Sequence, residues 1–352
     1  MPTRRLVIQA GLASIAAPAI VRAQGLSGSI TLMSYSGIFQ DNYTKTVIEP
    51  FQQAFPGIKV NFAPGGTSAQ MVGSVRAQKA DPQIDVAIMD VTTSSIGNSE
   101  GLFEKLTSAE FPVLNELLPE ARAAGGEYGP AVTFDHLVLV YDTQNLKPPL
   151  ATLADLWRPD LKGQLAISAP PNIQGLALTA MVEKMTGGDY RKSIDGAIRK
   201  LRELAPSVNT FEPNPDGYSL ILNGVVKVAT GWNARSQLYA DQTGGKIGAL
   251  LPPEGSVFQI NTINLTAGSK NRAAAAAFVN YALSQAAQKA FTERMFYAPT
   301  NAQAAIDPKA IARTAAAPDS RARMIGLDWN DVLKVRDQWN NRWRREVIAA
   351  AR

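Results

Sequence analysis

From Ser29 onward the chain alternates short apolar runs with amphipathic segments of helical period, and this alternation constrains its fold more than any other feature. Ser29 to Ser34 reads as a strand, followed by a helix through about Phe55 that Pro56-Gly57 stops. Ile58 to Ala63 is the next strand. Thr67-Ser68-Ala69-Gln70 is a capping-box pattern, and the helix it opens ends at Asp81-Pro82. Ile84 to Met89 is nearly all apolar, as a strand covered on both faces should be. The second half repeats the scheme. Strands are expected at Gln164 to Ser168, Val225 to Thr230, Ile247 to Leu251 and Ile260 to Thr266. Helices are expected at Ile173 to Met185, Tyr190 to Leu204, Ala234 to Gln242 and, as one long alanine-rich helix, Asn271 to Met295. Asp328 to Ala351 closes the chain with a stripe of Trp329, Val332, Trp339, Trp343 and Val347, the spacing of a docking face. Such alternation predicts an α/β fold with largely parallel sheets.

In open sheets of this kind ligands sit at the carboxyl ends of strands, beside helix N-termini. That rule selects Ser36 and Gly37, Thr67 and Ser68, Asp90 and Thr92, and Trp232, Asn233 and Arg235 as candidate ligand-binding residues. The segments are rich in glycine and hydroxyls, which suits capture of a polar molecule better than bond breaking. Asn233 is expected as an N-cap. Arg235 would fall in the first turn of the same helix, against the macrodipole, where a bound anion or a neighbouring acid could neutralise it. Asp90 could bind an amine or cap a helix. Asp135 and Asn261 complete the set.

Composition narrows the chemistry. The 352 residues suffice for two domains. There is no cysteine, so disulfides, thiolate catalysis and cysteine zinc sites are excluded. The single histidine, His136, follows Asp135, and in a strand the two side chains point to opposite faces, so they form no relay. No nucleophile-elbow, zinc-protease or phosphate-loop motif occurs. No catalytic residue, metal or cofactor is assigned. The net charge is +5, but Arg4, Arg5 and Arg22 fall in a segment expected to be removed. Taking those three from 35 basic residues leaves 32 against 30 acidic, a balance of +2 with the signs interspersed, which argues against nucleic acid.

Met1 to Ala23 reads as a bacterial secretory signal: two arginines, an apolar run from Leu6 to Val21, and small residues around a cleavage point near Ala23. Thr3-Arg4-Arg5-Leu6-Val7 also resembles a twin-arginine signal, which would export a folded chain; Sec export is the alternative. The expected location is the periplasm.

Several segments then resemble one family in order and spacing. They are Pro50-Phe51 through Pro56-Gly57-Ile58-Lys59-Val60, Ile84-Asp85-Val86, and Leu153-Ala154-Asp155-Leu156-Trp157-Arg158-Pro159 with Leu161-Lys162-Gly163. Gly231-Trp232-Asn233, Pro252-Pro253-Glu254-Gly255 and Tyr297-Ala298-Pro299-Thr300-Asn301 follow. Together they resemble the periplasmic extracellular solute-binding proteins of ABC importers, in the polyamine-type (spermidine/putrescine) branch. The resemblance implies the two-lobed type II periplasmic-binding-protein fold with two hinge crossings, near Thr133 to His136 and near Gly255 to Gln259. It implies residues 25–133 plus 258–300 in one lobe and 134–257 plus 301–352 in the other. It also implies a small-molecule solute, an ABC permease and ATPase as partners, and a monomer. Polyamine binders carry acids after two strands where this chain has Ala169-Pro170-Pro171-Asn172-Ile173 and Phe258-Gln259-Ile260-Asn261. A polycation would meet a desolvated site without countercharge, so a neutral or anionic solute is expected. The family's iron binders use adjacent tyrosines, and no Tyr-Tyr pair occurs here. Polyamine or other amine binding, a secreted α/β hydrolase built on His136, and an adhesion or signalling module stand as alternatives.

Overall fold

The structure is a computed structural model that describes residues 25–351; the expected export segment, Met1 to Ala23, lies outside the described residues. The chain opens with β1 (Gly28–Tyr35), then α1 (Ile38–Tyr43), a π turn (Thr44–Ile48) and α2 (Glu49–Ala54). Next come β2 (Ile58–Gly65), α3 (Ser68–Ala77), β3 (Val86–Asp90), α4 (Val91–Ser99), α5 (Pro119–Ala123) and the long β4 (Ala131–Asp142). The second series is β5 (Leu165–Ala166), α6 (Ile173–Met185), α7 (Asp195–Leu204), β6 (Val208–Thr210), α8 (Gly217–Leu222), β7 (Val228–Trp232), α9 (Asn233–Gln242) and β8 (Ile247–Leu250). The chain returns through β9 (Ser256–Leu265), α10 (Arg272–Ala282), α11 (Gln285–Met295), α12 (Pro308–Ile311), α13 (Pro318–Ala322), β10 (Met324–Ile325) and α14 (Trp329–Arg342).

The strand order is β2-β1-β3-β9-β4-β7-β5-β6, with β8 on β4 and β10 on β9. β1 pairs parallel with β2 and β3, and β5 pairs parallel with β6 and β7. The centre is antiparallel, because β4 and β9 run from one half of the molecule to the other in opposite senses. Asn261–Leu265 of β9 pair with β3, while Phe258–Thr262 pair with Ala131–His136 of β4 across a register shift between Ala131 and Thr133. Leu137–Asp142 of β4 pair with β7 and β8. The sheet is therefore mixed, not largely parallel.

Each half has its own apolar core. Ile30, Leu32, Phe51, Val86, Ile88 and Phe278 belong to the first. Leu137, Leu139, Leu178, Ile198, Leu201 and Trp343 belong to the second. Trp329, Val332, Trp339, Trp343 and Val347 are all buried in the second core, so the C-terminal stripe is a docking face. Residues 301–317 pack on the first core, where Ala302 N–H donates to Glu116 O and Ala315 is buried.

Of the elements that differ from the sequence expectation, three do so for a clear local reason. The helix expected over Asn271 to Met295 is two, because the Ser284 hydroxyl caps a new N-terminus by accepting from Ala287 N–H. The helix expected from Tyr190 begins at Asp195: the Tyr190 ring packs edge-on to Trp339, and its hydroxyl accepts from Asp328 N–H. β7 starts at Val228, not Val225, which is exposed in the turn after α8. No helix among the described residues is long and apolar enough to cross a membrane.

Candidate functional site

Register brings the first group of candidate residues into one row. Asp90 at the end of β3 lies opposite Asn261 of β9, which lies opposite Thr133 of β4. The row is joined by a chain of hydrogen bonds. Asp90 N–H donates to Ser68 Oγ (3.1 Å), Ser68 Oγ is hydrogen-bonded to the Tyr35 hydroxyl (2.8 Å), and Tyr35 O–H donates to Asn261 Oδ1 (3.0 Å). Asn261 Nδ2 donates to Thr133 Oγ1 (3.0 Å), and Gln259 Nε2 donates to Asn261 Oδ1 (2.6 Å). Asn261 is 1% exposed, so these bonds satisfy a side chain that water barely reaches. Asp90 is an N-cap: its carboxylate accepts from Thr93 N–H (2.9 Å), Thr93 Oγ1 (2.8 Å) and the Thr92 hydroxyl. Of the two roles left open for Asp90, capping is the one its geometry fills.

The second group gathers where β7 meets α9. Trp232, half-buried, precedes the first turn of α9. Its backbone N–H donates to the Tyr218 hydroxyl (2.5 Å), and that hydroxyl donates to Trp232 O (3.0 Å). Asp135 of β4 accepts from Ala234 N–H of the same turn at 3.1 Å and from His136 N–H at 2.8 Å. Arg235 Nη1 stands 3.6 Å from Asp216 Oδ2, beyond hydrogen-bond reach, and the guanidinium lies 5.7 Å from the centre of the Tyr218 ring. Burial holds the hydroxyl of Tyr297, from the first half of the molecule, above its ordinary range, with Asp135 adding to the push and Arg235 opposing it.

Not every candidate joins these groups. Ser36 and Gly37 are exposed in the turn after β1, and Gly37 has a positive φ of 67° that a side chain would strain. Thr67 is exposed and completes the expected capping box with Gln70. Asn233 is not the N-cap of α9; Trp232 holds that position. Asn233 is buried inside the first turn, where its amide donates to Arg313 O (2.8 Å) and accepts from Gln237 Nε2 (3.0 Å). Tyr35, Thr133, Gln259, Tyr218 and Tyr297 belong to the two groups but were not among the sequence candidates. Tyr35 was within reach of sequence reasoning, since it precedes Ser36 at a strand end; the others depend on register.

Asp135 is 1% exposed, and burial pushes its carboxyl up to about 8 against the opposing pull of the two N–H donors. The sign of the stability effect follows. Above the ordinary carboxyl range the unfolded chain releases this proton while the folded chain keeps it, so stability falls as pH rises from about 4 to about 8. Asp135→Asn is expected to flatten that part of the urea-denaturation profile, and an unchanged slope would show that Asp135 is ionised in the folded protein. Burial also lowers His136, to about 3, so the ring is neutral. Its Nδ1 has no partner and stands 3.9 Å from Asp135 Oδ1, too far for a relay. Among the described residues no group of three acids or histidines is placed to hold a metal.

Comparison with known proteins agrees with this architecture. Residues 46–319 match the family model described as bacterial extracellular solute-binding protein. The chain is 25% identical over 333 residues to the gamma-aminobutyric acid-binding protein of Pseudomonas aeruginosa, covering 91% of this chain and 92% of that one. It is 23% identical over 284 residues to the spermidine/putrescine-binding periplasmic protein of Escherichia coli, covering 78% and 80%. An ABC transporter substrate-binding protein from Bradyrhizobium japonicum shares the fold with a TM-score of 0.76 at 19% identity, over 90% of this chain and 99% of that one. The fold it shares is the two-lobed α/β fold of such binding proteins. Through the match over residues 46–319, the chain belongs to the bacterial extracellular solute-binding proteins.

Proposed function

We propose that the protein captures a small solute bearing a carboxylate, with Arg235 as the countercharge and Trp232 as a platform, and hands it to the permease and ATPase of an importer. One observation carries this reading: the acidic side chains around the two groups are all engaged or buried, whereas Arg235 is only loosely paired. Asp90 caps α4 with its carboxylate. Asp216 caps α8 through Ser219 N–H (2.8 Å). Asp135 accepts two backbone N–H groups. A polyamine would need carboxylates free of such duties, because a cation taken from water without countercharge costs several kcal/mol (~2–7 even for a neutral polar group). A carboxylate ligand meets a guanidinium that still has donors to offer. A zwitterion such as an ω-amino acid fits both ends, its ammonium group over the Trp232 ring.

The remaining parts of the reading follow from it. The export segment is cleaved near Ala23 and the mature protein acts as a monomer. The lobes comprise residues 25–133 with 258–300, and 134–257 with the C-terminal helices. Packing of residues 301–317 against the first core favours counting that segment with the first lobe.

The test is a panel of melting curves on the mature protein, with native mass spectrometry of a fresh preparation to identify retained solute. 4-Aminobutanoate, other ω-amino acids or monocarboxylates should raise the Tm by several degrees. Binding at 100 times Kd contributes about 2.7 kcal/mol, and each kcal/mol moves a domain of 150–250 residues by roughly 2–4 °C. A rise confined to spermidine and putrescine would overturn the proposal.

A further inference from the structure

The helix that presents Trp232 and Arg235 is gripped, along its length, by a residue from the other half of the molecule. Arg313 reaches from the 301–317 segment, packed on the first core, onto α9. Its Nη1 and Nη2 donate to the two carboxylate oxygens of Asp241 at 2.9 and 2.8 Å. Nη2 also donates to Gln237 O (3.0 Å) and Nε to Gln237 Oε1 (3.0 Å). Asn233 Nδ2 returns a bond to the Arg313 carbonyl oxygen (2.8 Å). The guanidinium lies 3.8 Å from the centre of the Phe296 ring, at the C-terminal cap of α11.

Leu238 enters the first core from α9, and beside it a cavity of about 280 Å³ is lined by Leu238, Asp241 and Phe296 among others. The seam therefore joins a fork of directional bonds to this apolar contact. Such bonds re-form in one geometry only, and a lysine cannot reproduce them.

We propose that Arg313 is a positioning residue for solute capture: it latches α9 to the opposite lobe in the closed arrangement, and its release accompanies opening. The geometry stands alone, while the consequence for affinity rests on the solute-binding reading above. The chain has no cysteine, so nitroxide labels at Asp41→Cys and Glu212→Cys, both exposed, report the distance between lobes without interference. In ligand-free protein, Arg313→Ala is expected to lengthen and broaden that distance distribution. With 4-aminobutanoate as probe, it should speed dissociation about tenfold and leave association nearly unchanged.

Arg313→Lys should behave like the alanine variant. Asp241→Asn should reproduce the effect, with the double variant adding little, and it keeps the test alive if Arg313→Ala fails to fold. A folded Arg313→Ala or Asp241→Asn protein with an unaltered distance distribution would overturn the latch, whatever its Tm. The distance measurement needs no solute. A wild-type protein that ignores 4-aminobutanoate while the variants open would therefore remove that one solute from the candidates and still support the latch.

Discussion

Arg235→Gln is expected to weaken binding of a carboxylate solute by roughly 30- to 150-fold, the loss of a charge-assisted hydrogen bond worth about 2–3 kcal/mol. The guanidinium sits in the first turn of α9, where the helix dipole disfavours a cation, and its nearest acid is 3.6 Å away and already caps another helix. A side chain held in such a place without a tight internal partner is held for something external. Glutamine keeps most of the stem that lies beside Tyr218, so the fold should survive, which far-ultraviolet circular dichroism checks. Isothermal titration of the wild type and variant with the solute found by mass spectrometry decides the matter. Equal affinities would remove Arg235 from the site and return the polyamine reading to contention.

The largest loss of stability is expected from Trp343→Ala, about 3–5 kcal/mol in urea denaturation. Trp343 is fully buried in the second core, its indole N–H donates to Thr179 Oγ1 at 2.9 Å, and its ring meets Phe211 edge-on. Truncation opens a cavity and removes the indole N–H that the Thr179 hydroxyl accepts from, while that hydroxyl goes on donating to Gly175 O. The C-terminal helices arrive at the second core late in sequence and without the support of a sheet pairing beyond the two residues of β10. Trp343 is their deepest anchor. A loss below 1 kcal/mol would mean that this segment docks through Trp329 and Trp339 alone.

Much of the fold was legible because it is written locally. Pro56-Gly57 ends a helical run, Thr67 and Gln70 form their capping box, and the apolar run of Ile84 to Met89 becomes a strand buried on both faces. The C-terminal tryptophans also revealed their docking face through spacing alone. What stayed hidden depends on partners distant in sequence. Periodicity continued through Leu283-Ser284, yet the Ser284 hydroxyl offered the backbone a competing bond and split the helix. Asn233 looked like a cap by residue type, but the segment carrying Arg313 claimed its amide from 80 residues away. The row of Asp90, Asn261 and Thr133 exists only through the register of three strands, and no residue in it signals the other two. The strand-end rule found the neighbourhood of the site; the pairing of the sheet decided which side chains were already occupied.

The two central strands have a mechanical consequence. β4 and β9 form one antiparallel ladder shared by both halves, and the register slips between Ala131 and Thr133. Reorienting the halves while that ladder stays intact requires torsion of a continuous ribbon, as in a leaf spring, and the slip is where a ribbon twists most readily. Backbone bonds along it can then persist throughout the cycle, so the ribbon serves as the pivot, while the side-chain contacts of Arg313 on α9 are the bonds that opening has to break.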